Sequence, residues 1–244
     1  MGRKKNTSCT DIDSRLNALE WTQLYDSLNL SGWALIENLI RPDECDALAA
    51  LYTEEEIFRS RVVMARHGFG RGEYKYFAYP LPPVVAALRK SLYASLVPVA
   101  NQWNELMKND VRYPADYKAF IERCHRAEQK RPTPLLLRYG EGDYNCLHQD
   151  LYGEHLFPLQ AVCLLSEPGK DFTGGEFIVT EQRPRMQSRA EVVPLRKGSL
   201  ALLSVCHRPV QGARGYYRVN MRHGVSRLRS GCRYAAGIIF HDAS

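Results

Sequence analysis

From Pro134 to its end the chain alternates short runs of β-forming residues with turns marked by glycine and proline. No other feature restricts its fold as tightly. The runs are Leu135–Tyr139, Tyr144–His148, Leu159–Leu165, Gly175–Thr180, Val192–Leu195, Ser199–Val205, Tyr216–His223 and Cys232–Phe240. Strands this short and this evenly punctuated fit a two-sheet jelly roll or a related barrel. The first half has a different grammar. Ile12, Leu16, Leu19, Leu24 and Leu28 recur at helical spacing from Asp11 onward, residues 32–40 read as a strand, and Pro42 opens a helix with acids in its first turn. Residues 82–108 carry the stripe Val85, Leu88, Leu92, Leu96, Val99 and Trp103, and residues 114–129 also read as helix. Helices first and strands later predict an α+β fold, with an N-terminal helical layer supporting a jelly-roll core. The expected organisation is a polar, disordered tail over residues 1–10 and one domain over 11–244, mainly helical to residue 130 and jelly roll from 131.

Composition narrows the setting without deciding the chemistry. A hydrophobic fraction of 45% and a charged fraction of 25% are those of ordinary globular proteins. Apolar stretches such as Leu200–Val205 are far too short to span a bilayer, so no membrane role is expected. The basic N-terminus lacks the apolar segment of a secretory signal. Seven scattered cysteines with no C-x-x-C predict reduced thiols in a cytoplasmic protein. A net charge of +6, with arginine dominant after residue 183, suits either a solvated surface or phosphate contacts.

Chemistry concentrates at the end of the second run. His148 and Asp150 stand two residues apart, so in an extended chain they project to the same side. One further imidazole would complete a 2-His-1-carboxylate facial triad, which leaves three octahedral positions open and is the arrangement of non-haem Fe(II) oxygenases. Two of these positions can chelate a 2-oxo acid and the third can take O2. His155 is too near in sequence to serve without breaking the shared strand face, which leaves His207 and His223. The region after His223 favours it: a turn at Ser230-Gly231 sends the chain back antiparallel, and Arg233 opens the last run close to His223. A guanidinium there can grip a carboxylate in a bidentate fork.

With these residues the chain resembles the Fe(II)/2-oxoglutarate-dependent oxygenase superfamily, whose core is a double-stranded β-helix carrying H-x-D, a later His and a trailing Arg or Lys. The resemblance spans Leu135 to Phe240. Arg138, Tyr139, Gly142 and Leu147–Asp150 are similar, gap for gap, to the corresponding stretch of the AlkB nucleic-acid demethylases. Thr173–Phe177 and Arg196–Ser199 are also in the superfamily's style. The whole chain, with Arg66–Phe77 and Val219–Ser226, resembles a bacterial and fungal oxygenase family described as acting on damaged DNA. It departs from AlkB in having Ile239 where those enzymes carry a second arginine, and its nine residues between His223 and Arg233 are closer to the prolyl-hydroxylase spacing.

The resemblance implies His148, Asp150 and His223 as ligands to Fe(II), with 2-oxoglutarate and O2 as cosubstrates. It also implies Arg233 on the C5 carboxylate of 2-oxoglutarate, and Tyr139 either hydrogen-bonded to that cosubstrate or packed in the core. The expected activity is oxidative demethylation of alkylated bases in damaged or single-stranded DNA. The alternative is a prolyl-type protein hydroxylase or a small-molecule hydroxylase. For substrate contact the glycine-rich segment offers Phe69 and Tyr74 for stacking and Arg66, Arg71 and Lys75 for phosphates, unless it is a structural hairpin whose aromatics cover the core.

Overall fold

The computed structural model describes the chain from Cys9 to Leu151 and from Gly153 to Ser244. The tail expected over residues 1–10 lies outside the described residues as far as position 8, and the first helix starts at Cys9. The helices are α1 (Cys9–Asn17), α2 (Trp21–Ser31), α3 (Pro42–Ala50), α4 (Pro83–Leu106) and α5 (Tyr117–Arg126). The strands from the first half are β1 (Trp33–Ile36), β2 (Phe58–Val63), β3 (Gly70–Arg71) and β4 (Glu73–Phe77). The second half adds β5 (Leu135–Tyr139), β6 (Tyr144–His148), β7 (Leu159–Leu164), β8 (Phe172–Gly174), β9 (Phe177–Gln182), β10 (Arg189–Val193) and β11 (Leu200–Ser204). It ends with β12 (His207–Gly212), β13 (Gly215–Val225), β14 (Leu228–Gly231) and β15 (Arg233–Ile238).

Two antiparallel sheets face each other. The major sheet runs β1-β11-β7-β15-β5-β4-β2, and the minor sheet runs β10-β9-β13-β6-β3 with β12 also paired to β13. Alternation along each strand explains why the central strands are mostly apolar on both faces. On β7, Ala161 and Cys163 pack into the helical layer while Val162 and Leu164 face the space between the sheets. On β11, Leu200 and Leu202 take the first side and Ala201 and Leu203 the second. A sheet buried on both faces reads as a continuous hydrophobic run. Each such Leu or Val withdrawn from water contributes roughly 1.5–3 kcal/mol.

The helical layer differs from expectation in one place. The stretch from Asp11 is two helices rather than one, and the five-residue step from Leu19 to Leu24 marks the break. There Trp21 Nε1 donates to the Leu16 carbonyl at 3.0 Å, satisfying a helix-end acceptor. Helix α3 starts as its sequence dictates, with Pro42 in the first turn and the Glu44 carboxylate accepting the Arg41 N–H at 2.8 Å. Helix α5 is capped by Asp116, which accepts from the amides of Lys118 and Ala119. No described helix is long and apolar enough to cross a membrane.

The C-terminus is tied to the helices through a buried polar cluster. Arg89 of α4 donates to Asp242 at 2.7 Å and to the carbonyls of Ile239 and His241. His241 is fully buried, accepts the Phe157 N–H on Nδ1 at 3.2 Å and has no partner for Nε2. Burial, with the Arg89 charge beside it, pushes its pKa down to about 4. A folded-state pKa below the unfolded value of about 6.5 gives stability that is present above pH 6.5 and lost as pH falls toward 4. His241→Asn keeps an acceptor for Phe157 and removes the titration. Between pH 7 and pH 5 the variant should lose about 2 kcal/mol less unfolding free energy than the native chain, measured by urea denaturation. Parallel pH profiles would show that His241 is not the group responsible.

Candidate metal centre

His148 ends β6 and is the register partner of His223 on β13. The pairing brings the two imidazole centroids to 4.3 Å. Asp150, just past the end of β6, closes the group: its carboxylate lies 3.5 Å from His148 Nε2 and 3.2 Å from His223 Nε2. The three side chains offer ligand atoms within 4.8 Å of one another. The orientation of His148 is fixed from behind, because its Nδ1 hydrogen-bonds the Cys146 carbonyl at 2.8 Å and leaves Nε2 for a metal. Burial alone would raise the Asp150 carboxyl, but hydrogen bonds and charge from both histidines overcome it and hold Asp150 well below the ordinary carboxylate range. Two imidazoles and one ionised carboxylate suit Fe(II) and leave its remaining positions open to the cavity.

The other expected end of the site sits on the facing sheet. The turn at Ser230-Gly231 does not fold Arg233 back beside His223 as a hairpin, as the sequence suggested. β14 instead crosses to pair with β8, and Gly231 (φ +80°) passes so close to the Asp171 carbonyl that a Cβ there would collide with it. The last strand thereby enters the major sheet, where Arg233 is the register partner of Tyr139. Arg233 is 1% exposed, its Nε is unpartnered, and burial lowers its pKa to about 10. The Tyr139 ring lies 5.6 Å from the guanidinium carbon, and its buried hydroxyl, near the Asn145 side chain, makes no well-formed hydrogen bond. Burial raises the Tyr139 pKa and keeps the phenol a proton donor. A buried cation and a buried donor, both unsatisfied and both facing one cavity, suit the distal carboxylate of a diacid.

That cavity, of about 400 Å³, is bounded by both groups together with Tyr74, Tyr76 and Phe69. The glycine-rich segment is part of its rim: β3 pairs with β6, and the Cys146 N–H donates to the Phe69 carbonyl at 2.9 Å. Phe69 is 48% exposed and stacks on His67 at 5.3 Å, while Arg66 and Arg71 are exposed. Lys75 must be corrected. Alternation on β4 turns Tyr74 and Tyr76 to the cavity and Lys75 the other way, where it is buried and bonded to Glu55 at 2.6 Å and to the Tyr52 carbonyl. It has no route to a phosphate. The rejected histidines lie elsewhere, His207 on β12 beside Cys206 and His155 with its backbone bonded to Gln129. Gln160, which sequence reasoning passed over, lines the cavity with its Nε2 3.1 Å from His223 Nε2. Its only signal was an amide within an otherwise apolar run.

The closeness of β6 and β13 depends on Gly224. A Cβ there would stand 2.7 Å from the Asn145 carbonyl oxygen and 3.2 Å from the Cys146 backbone. Gly224→Ala should therefore part the two histidine-bearing strands, at a cost of about 1–3 kcal/mol by urea unfolding. It should also weaken binding of Mn(II), a redox-inert stand-in for Fe(II). Unchanged stability and Mn(II) affinity would mean that the strands separate freely.

Residues 72–243 match a family described as oxygenases catalysing oxidative methylation of damaged DNA. An uncharacterized protein of Mycobacterium tuberculosis H37Rv is 46% identical over 168 residues, which is 69% of this chain and 72% of that protein. Among solved structures, a Pseudomonas putida prolyl-4-hydroxylase superposes with a TM-score of 0.53 at 15% identity, covering 89% of this chain and 96% of that one. An oxidoreductase of the 2OG-Fe(II) oxygenase family from Burkholderia pseudomallei gives the same TM-score and identity, covering 93% and 95%. At such identities the structures speak for the shared jelly-roll fold, and the match along the sequence speaks for kinship. With the His-Asp-His group in place on this jelly-roll fold, the chain belongs to this oxygenase family.

Proposed function

We propose that His148, Asp150 and His223 hold the iron, that Arg233 and Tyr139 hold the C5 carboxylate of 2-oxoglutarate, and that the enzyme demethylates alkylated bases in DNA. The observation that carries the substrate reading is the cavity mouth. It joins the metal group to stacked and exposed aromatic surface, with Phe69 at the rim and Tyr74 and Tyr76 on the wall, flanked by exposed Arg66 and Arg71. Aromatic platforms beside cations are how proteins hold an unstacked base and the phosphates next to it. The family's description, which names damaged DNA, points the same way.

When bound, iron and 2-oxoglutarate supply the oxidising power: O2 is consumed, the cosubstrate loses CO2 to become succinate, and one oxygen atom enters a substrate C–H bond. On an N-methyl group the product is a hemiaminal, which releases formaldehyde and leaves the free nitrogen. The chain's residues align the partners. Arg233 and Tyr139 fix one end of the cosubstrate, the His148 and His223 strands fix the other, and Phe69 with Tyr74 packs the base against the opening. The apolar walls, among them Leu135, Leu137 and Val162, keep bulk water from the reacting centre.

Truncating Arg233 removes one partner of a buried charge pair. Arg233→Ala should raise the 2-oxoglutarate KM at least about thirtyfold while Mn(II) affinity stays near native. An unchanged KM would place the C5 carboxylate elsewhere.

The substrate reading turns on turnover. Succinate release should rise, with matching formaldehyde, when a methylated single-stranded oligonucleotide replaces its unmethylated twin. Equal rates at saturation would sink the demethylase reading, and turnover on a peptide or metabolite panel instead would favour the hydroxylase alternative. Charge reversal at Arg66 and Arg71 should flatten the slope of log affinity against log salt by about 0.7 for each phosphate no longer neutralised. Phe69→Ala should weaken binding and leave that slope intact.

A further inference from the structure

We infer that Gln160 binds the keto-acid end of 2-oxoglutarate, making it the counterpart of Arg233 at the other end of the same cosubstrate. The inference rests on the reading that Arg233 holds the C5 carboxylate.

Three observations carry it. Gln160 is 2% exposed, and among the inward positions of β7 it is the amide beside the apolar Val162 and Leu164. Its Oε1 has no hydrogen-bond partner, and its Nε2 lies 3.1 Å from His223 Nε2. That nitrogen of His223 is the one turned to Asp150, so its lone pair goes to the metal in the loaded enzyme. The amide then loses the contact it has with that nitrogen here, in a wall where leaving a polar group unsatisfied costs about 1–3 kcal/mol. A carboxylate chelated at the adjacent metal positions restores an acceptor to the Gln160 N–H.

The layout of the major sheet fits the same ligand. Arg233, Ala235, Gly237 and Ile239 all face the cavity along the last strand. Continuing the register in which Ile238 pairs with Ala161 and Gly237 with Val162 places Ile239 beside Gln160. Arg233 and Gln160 thus stand at opposite ends of about 20 Å of strand, at roughly 3.3 Å per residue. The inward positions between them are an alanine and a glycine. Leu135 packs over the glycine and the alanine is small, so a five-carbon diacid can lie across this face between the guanidinium arm and the glutamine arm.

The test uses the full chain loaded with Mn(II) and titrates it with 2-oxoglutarate and with pyruvate, which keeps the keto-acid end and lacks the C5 carboxylate. Gln160→Met preserves the shape of the side chain, and Gln160→Leu is a second variant suited to the same apolar wall. Both should hold Mn(II) within about threefold of native and lose about tenfold or more in affinity for 2-oxoglutarate and for pyruvate alike. Arg233→Ala should lose affinity for 2-oxoglutarate only, and the combined variant should show the product of the two losses. Loss of Mn(II) affinity on the scale of His223→Ala would make Gln160 a support of the metal and overturn the assignment. Loss toward 2-oxoglutarate with pyruvate untouched would overturn it too, as would native affinity for both in the Gln160 variants while Arg233→Ala remains defective. If the Arg233 and Gln160 variants all bind 2-oxoglutarate normally, the placement of the cosubstrate itself fails.

Discussion

The site depends first on the antiparallel register that sets His223 opposite His148. Strand β13 is held between β9 and β6, with Val179 on one side of His223 and His148 on the other, so neither imidazole can shift without slipping a ladder. A slip of one residue would turn every inward side chain outward and expose Val219, Met221 and Val225. The hydrophobic filling between the sheets therefore polices the geometry of the metal ligands. The irregularity between His223 and Val225, with Gly224 at its centre, lets the two strands approach closely enough for Asp150 to meet both imidazoles.

Arg233 is the second constraint, and it acts by being incomplete. Among the described residues no carboxylate pairs with this buried guanidinium, so the fold holds it at a standing electrostatic cost that lowers its pKa. The fold carries that cost at the wall of the cavity that holds the His-Asp-His group. Tyr139, Gln160 and Arg233 each present an unpartnered polar atom in the cavity that also holds the His-Asp-His group. Binding a diacid satisfies what folding left unsatisfied.

The nearness of His148 and Asp150 was legible because their spacing is local: H-x-D needs only the period of an extended strand, and β5 and β6 have the bounds that composition gave them. What escaped depended on partners far away in the chain. The two-residue β3 has no composition of its own and exists because Tyr144 and Asn145 offer an edge. β12 was hidden by Pro209, tolerated where the strand pairs with β13 alone. Lys75 looked like a surface cation until alternation on β4 and the acid at Glu55 turned it inward. Gln160 carried no motif. Its meaning comes from the imidazole that β13 brings to it across the barrel.

One consequence follows from how the glycine-rich segment is attached. It is hydrogen-bonded as an edge strand to β6, through Gly70 and Arg71 and through the Phe69 carbonyl, on the strand that ends in His148. Gly70 sits so close to Tyr144 that no side chain fits between them. This stretch of the rim and the strand that ends in His148 thus form one mechanical body. A substitution that displaces this rim also strains the strand that ends in His148. Rim and metal group are built to change together rather than one at a time.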